Sequence, residues 1–103
     1  MTEADLKSLV QEFPDSPMGH FSLGKLYLSE QRWSEAVAAL EEAVRLDATY
    51  SAAWVALGDA HAGASRVDQA RAAWNQALAT PHAKKDGSLR MDLEERLQAL
   101  EDG

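Results

Sequence analysis

The sequence predicts an all-α protein built from stacked antiparallel helix pairs. Three observations carry that expectation. The first is self-similarity: Leu23-Gly24 recurs as Leu57-Gly58, 34 residues on, and the same step takes Arg32 to Arg66, Ala36 to Ala70, Leu40 to Trp74 and Ala43 to Ala77. A fixed period of this length is the mark of a chain built from repeated supersecondary units. The second is punctuation: helix-starting residues, turn residues and prolines divide the chain into segments of helical length. The third is the last segment, where Leu89, Leu93, Leu97 and Leu100 fall at i, i+4, i+8 and i+11 and form one apolar stripe.

Residues 2–14 read as an opening helix and its stop. Thr2 caps the start, with Asp5 three residues on in a capping-box arrangement. Leu6, Leu9, Val10 and Phe13 share one face at helical spacing, and Pro14 ends the segment. Asp15-Ser16-Pro17 then begins a helix that runs to about Glu30. Ser16 accepts from orphan amide groups, and Pro17 suits the first turn, where its missing N–H costs nothing. Gly24 lies inside this helix, where glycine costs about 1 kcal/mol relative to alanine. Something must offset that cost, and Gly58 repeats the arrangement 34 residues on.

Gln31-Arg32 make a turn without glycine. A second helix spans about Ser34 to Leu46, with Ala36 and Ala43 small at the crossings and Leu40 and Val44 between them. Asp47-Ala48-Thr49 breaks it. The pair recurs as about Ala52–Ala62, a Gly63-Ala64-Ser65 turn, and about Val67–Ala79, closed by Pro81. Residues His82 to Gly87 read as a loop, and Ser88 to Leu100 as a last helix. The expected architecture is six helices in one domain over 1–103: a half-repeat helix (2–14), two repeats (17–50 and 51–84) and a capping helix (88–101).

The second copy, Trp54-x-x-Leu57-Gly58-x-x-His61 followed by Ala70-x-x-x-Trp74 and Ala77, resembles the tetratricopeptide repeat (TPR) family. The resemblance is strong over about two thirds of the chain and fades at the ends, as terminal repeats do. It departs from the pattern at His61 and His20, which hold the motif's Tyr and Trp slots, and at Ala48, where a proline is usual. It implies a right-handed superhelix with Leu23, Gly24, Tyr27, Ala36, Leu40, Ala43, Trp54, Leu57, Gly58, Ala70, Trp74 and Ala77 as its structural positions. Trp54 is a core slot, while Trp33 and Trp74 on the second helices are expected to point between repeats.

Composition narrows the function. The formal charge is −7 and the pI about 4.8, which removes the basic surface that a nucleic-acid binder requires. There is no cysteine, hence no disulfide framework or thiol chemistry. The acidic start lacks the basic and apolar regions of a signal peptide, and no apolar run approaches spanning length. A cytoplasmic protein without membrane contact is expected. The three histidines, His20, His61 and His82, lack i, i+3 or i+4 pairing, so no metal site is read. Glu41-Glu42 and Glu94-Glu95 are neighbours in sequence that do not face each other on a helix. Gly58 and Gly63 lie on a helix rather than in a phosphate-holding loop. No catalytic residue and no cofactor are therefore assigned.

The resemblance implies a concave groove lined by the first helix of each repeat. It presents Met18, Phe21, Ser22, Lys25 and Leu28 from the first repeat and Ala52, Val55, Ala56, Asp59 and Ala62 from the second. Phe21 is the large apolar anchor, with Val55 near it, and Lys25 and Asp59 stand at equivalent positions suited to pairing. One subfamily holds the acidic carboxyl terminus of chaperones with a Lys, Asn and Arg clamp; Phe21, Lys25 and Ala56 occupy its slots here, and that role is not expected. The function implied is non-catalytic binding of a peptide or helix of a protein partner, whose Lys or Arg flanks would suit the acidic background. The alternative is a self-associating module, a homodimer formed through the outer helices.

Overall fold

The computed structural model describes residues 1–102. Seven helices account for the regular structure of those residues: α1 (Glu3–Glu12), α2 (Pro17–Ser29), α3 (Trp33–Leu46), α4 (Ser51–Gly63), α5 (Val67–Ala79), α6 (Pro81–Lys85) and α7 (Gly87–Asp102). Each long helix packs on the next: α1 on α2, α2 on α3, α3 on α4, α4 on α5, and α5 on α7. In addition α2 touches α4, so the first helices of the two repeats are neighbours. This is the stack of helix pairs that the period predicts.

The helix starts are chemical. At α1, the Thr2 hydroxyl accepts from the Asp5 amide at 3.2 Å, and the Asp5 carboxylate accepts from the Thr2 amide at 3.0 Å, which completes the capping box. Ser16 caps α2 by accepting from the Met18 amide, with Pro17 in the first turn. The ends of α2 and α4 are alike. Arg32 N–H donates to the Tyr27 carbonyl at 2.9 Å and Gln31 N–H to Leu28 at 3.1 Å; Arg66 N–H donates to His61 at 2.8 Å and Ser65 N–H to Ala62 at 3.0 Å. These are the paired bonds of a Schellman ending. Its left-handed residue is usually glycine, yet here it is Gln31 (φ 59°) and Ser65 (φ 62°). The turn expected at Gly63-Ala64-Ser65 therefore pivots on Ser65, and Gly63 is the last residue of α4.

The glycines justify themselves by contact. A Cβ on Gly24 would lie 2.5 Å from Leu40 Cγ, and one on Gly58 would collide with the indole of Trp74. Both Leu40 (0 % exposed) and Trp74 (4 %) are buried. The two crossings are the same crossing with a larger side chain in the second repeat. The larger chain also carries a polar group: Trp74 Nε1 donates to the Val55 carbonyl at 3.1 Å. Trp74 is thus wedged within its own repeat rather than pointing between repeats as expected. Trp33 does bridge repeats, since a Cβ on Gly63 at the end of α4 would lie 2.6 Å from its ring.

The core divides into two clusters. The larger gathers Leu6, Leu23, Tyr27, Ala36, Leu40, Ala43, Leu57 and their neighbours; the smaller is Ala70, Trp74, Ala77 and Leu93. Leu93 is the member of the α7 stripe that is fully buried, while Leu89, Leu97 and Leu100 pack beside it half-buried. Phe13, assigned to the buried face of α1, is 53 % exposed. It caps α1 with an irregular backbone (φ −128°, ψ 66°), which swings it off the helical stripe.

The expected loop at 82–87 contains a helix instead, which brings the described total to seven. Thr80 starts α6 by accepting from the Ala83 amide, with Pro81 at its first turn, and Ala83 is buried beneath it. The signal was the same Thr-then-Pro pattern that begins α2 with Ser16-Pro17.

Candidate interaction surfaces

Three surfaces follow from this stacking. The first is the face formed by α2 and α4. Of the residues assigned to it, Met18 is 66 % exposed, Ala52 and Lys25 are exposed, and Phe21, Ser22, Leu28, Val55, Asp59 and Ala62 are half-buried. Ala56 is 2 % exposed and offers no side-chain surface. Phe21 is not free-standing: its ring lies 4.9 Å from that of Tyr50, centroid to centroid, at a tilt of 35°. That geometry is a favourable aromatic pairing. Val55 packs instead with the cluster under α7, so the two expected anchors serve different cores.

Asp59 and Lys25 do not pair. Asp59 accepts from Arg96 of α7, at 2.9 Å to Nε and 3.3 Å to Nη2. Arg96 also reaches Asp92 at 2.6 Å, and the two carboxylates hold its guanidinium well inside the charged form. The expected Lys25 pairing fails because α7 lies against the same side of α4 and presents a forked, bidentate donor there. Lys25 has no ion pair among the described residues.

The second surface lies at the turn between α2 and α3. Arg32 donates to Glu3 (2.7 Å), Glu30 (2.9 Å) and Glu35 (2.6 Å), and its guanidinium sits 4.4 Å over the Tyr27 ring. Tyr27 Oη donates to the same Glu3 at 3.1 Å. The Arg32 and Lys7 cations and the Tyr27 hydroxyl hold the Glu3 carboxyl at about 2, far below its ordinary 4.5. The hub ties α1 to the first repeat. Sequence reading missed it because its members lie 24 and 29 residues apart, at positions that only the folded register brings together.

The third surface is a pair of crevices, one per repeat, each between its first and second helices. The first-repeat crevice, of about 390 Å³, is lined by His20, Leu23, Tyr27, Glu35, Ala38, Ala39 and Glu42. The second, of about 300 Å³, is lined by Trp54, Leu57, His61, Gln69, Ala72, Ala73 and Gln76. The two sets correspond one to one at the 34-residue step. Both acids of the first become glutamines in the second. His61 is buried, and its Nδ1 has no hydrogen-bond partner. Burial and the nearby Arg66 push its ring below the ordinary histidine range. Trp54 is half-buried rather than wholly in the core, and its Nε1 donates to the Ala48 carbonyl at 2.8 Å.

A tetratricopeptide repeat family model matches residues 3–51 and again residues 21–87. The chain belongs to the tetratricopeptide repeat family. It is 32 % identical over 96 residues to the TPR repeat-containing protein PA0015 of Pseudomonas aeruginosa, covering 93 % of this chain and 91 % of that one. Its fold is similar to the solution structure of protein BPP2914 from Bordetella parapertussis, with a TM-score of 0.82, 28 % identity, and coverage of 99 % and 89 % of the two chains. TPR repeats generally mediate protein–protein interaction, and TPR proteins are generally non-catalytic scaffolds. Within this TPR chain, α2 and α4 are the first helices of two repeats and α3 and α5 the second. α7 packs on α5 as α4 packs on α3. Leu93 follows Leu57 by 36 residues, and both are buried. From Leu57 to Leu93 the step is thus two residues longer than 34, with α6 in that stretch, and the motif's glycine position falls on Asp92 at a step of 34 and on Glu94 at 36. No helix of the described residues is long and apolar enough to cross a membrane.

Proposed function

We propose that this TPR chain is a non-catalytic binding module that takes a peptide or helix of a protein partner across the face of α2 and α4. The observation that carries this reading is the exposure of Met18 at 66 % beside exposed Ala52 and unpaired Lys25. A large apolar side chain, small neighbours and one free cation sit on adjoining first helices there. Met91, 64 % exposed on α7, follows Val55 by 36 residues and extends the same row. Exposed methionines adapt their shape to an incoming apolar group. The acidic chain as a whole speeds encounter with a partner that carries Lys or Arg around its apolar anchors.

The energy of such a contact comes from a few anchors. Affinity capture with the tagged protein supplies the partner, and calorimetry measures it. Phe21→Ala and Met18→Ala should each weaken binding by more than about 1 kcal/mol, with circular dichroism reporting an intact fold. Glu41→Gln, on α3, should leave affinity unchanged. If Glu41 matters and neither Phe21 nor Met18 does, binding uses the outer helices and the reading fails. Light scattering over a range of concentrations that shows a stable dimer would replace it with self-association.

A further inference from the structure

The two repeats differ most at one place, and the difference points to a ligand. In the first repeat, Arg32 is saturated by Glu3, Glu30 and Glu35, and Tyr27 Oη donates to Glu3. One step of 34 residues on, Arg32 becomes Arg66 and Tyr27 becomes His61, so both donors are retained in kind. Glu3, Glu30 and Glu35 become Val37, Ala64 and Gln69, so every carboxylate is lost. Arg66 accordingly makes no ion pair among the described residues, although its backbone holds the same Schellman bond as Arg32. It stands close enough to His61 for its charge to disfavour protonation of the ring.

His61 is 8 % exposed and lines the crevice of about 300 Å³. Its Nδ1 is enclosed without a partner, which leaves Nε2 as the ring nitrogen open to an incoming group. His61 and Gln69 mark the end of the crevice near the α4–α5 turn, where Arg66 is. The rest of the lining is apolar, from Trp54, Leu57, Ala72 and Ala73. Glu41 of α3 acts on His61 with the opposite sign to Arg66, and among the described residues no ion pair joins Glu41 to Arg66.

We propose that the second-repeat crevice docks an acidic–apolar segment of a partner protein. A glutamate of that segment accepts from Arg66 and His61, and an adjacent aliphatic side chain enters between Trp54 and Ala72. The glutamate takes the role that Glu35, which lines the first crevice, fills at Arg32; the place of Glu3 is held in the second repeat by the buried Val37. This surface is separate from the α2–α4 face, and the local sign at Arg66 runs against the net charge of the chain. Recognition depends on a forked guanidinium meeting a carboxylate, which is geometrically selective.

The test is a heteronuclear NMR titration of the full chain with the capped peptide acetyl-Ala-Glu-Leu-Leu-Ala-amide, and with its Gln-for-Glu counterpart. The glutamate peptide should shift the Trp54 indole and His61 ring signals and raise the His61 titration midpoint. The glutamine peptide should bind at least about fivefold more weakly, the scale of one partly exposed charge pair. Arg66→Gln should abolish that preference. Gln69→Glu, which returns a carboxylate to Arg66 in cis as Glu35 does for Arg32, should weaken the glutamate peptide by a similar factor, and both substitutions lie at exposed positions. Equal binding of the two peptides, no binding of either, or shifts confined to Met18, Phe21 and Lys25 would each overturn the proposal. Because Phe21→Ala lies outside the crevice, it separates failure here from failure of the α2–α4 reading.

Discussion

Replacing Gly24 by alanine sets two effects of known sign against each other. Alanine in a helix interior gains about 1 kcal/mol over glycine. The new Cβ, however, would lie 2.5 Å from Leu40 Cγ and 2.7 Å from Leu40 Cδ2. Ordinary carbon contacts are about 3.5–4.0 Å, so the overlap is roughly 1 Å. Leu40 is 0 % exposed and has no open space to retreat into. Overpacking of that kind costs typically about 1–3 kcal/mol, so the net effect of Gly24→Ala should be a destabilisation of about 0–2 kcal/mol. The decisive comparison uses Leu40→Ala, which alone should cost about 2–5 kcal/mol through its cavity. In that background the obstacle is gone, and Gly24→Ala should become stabilising by up to about 1 kcal/mol. Urea unfolding of the four proteins, followed by circular dichroism, gives the coupling directly. If Gly24→Ala carries the same sign and size in both backgrounds, Leu40 does not set the approach of α2 to α3, and the account of the glycine is wrong.

The remaining predictions concern acid, histidine and the last helix. Glu3 is depressed to about 2 from an ordinary 4.5, so its stabilising contribution is complete above about pH 4.5 and fades as pH falls toward 2. Glu3→Gln should lower the urea midpoint at pH 7 and flatten the loss between those pH values, as midpoints measured across that range would report. His61 is shifted downward, so the unfolded chain binds its proton first and stability falls as pH drops below about 6.5, the ordinary histidine value. His61→Tyr, which restores the residue of the equivalent Tyr27, should shrink that fall; an unchanged profile would assign it to other groups. Truncation after Gly87 removes α7 and with it Leu93, whose burial is worth roughly 1.5–3 kcal/mol. The 1–87 fragment should aggregate or unfold in light scattering and circular dichroism, and a soluble folded fragment would make α7 an appendage.

What the sequence made legible was whatever the period repeats. Gly24 and Gly58 were legible as places of close approach because a helical glycine recurs at the same step; that Leu40 and Trp74 face them was not, since Trp74 was expected to point between repeats. The caps of α1 and α2 were legible because each is made within three residues. Contacts between elements at unrepeated distances were not. Asp59 finds Arg96 across 37 residues, and the two-residue lengthening at α6 decides where α7 lands. Lys25 and Asp59 share a repeat position, which suggested a pair, but the forked guanidinium of Arg96 takes the carboxylate first. Phe21 was legible as a large apolar residue off the structural motif. Its stacking on Tyr50 was not, since Tyr50 lies in the approach to α4, where no helical spacing applies. The second-repeat crevice had a readable trace in the substitutions of Glu35 by Gln69 and Glu42 by Gln76, but only the folded chain shows that these positions share one hollow.

The two residues that α6 adds change how this protein could be lengthened. A helix pair grafted after α7 in simple continuation of the 34-residue count would inherit the wrong phase. Two residues turn a helix by about 200°, since each residue contributes 1/3.6 of a turn. The graft would offer its polar side to the stack. A graft phased from Leu93 would instead meet the half-buried Leu89, Leu97 and Leu100 with its apolar side. The α6 turn is in this sense a phase reset: it lets α7 finish the core, and the count for any added unit starts afresh from Leu93.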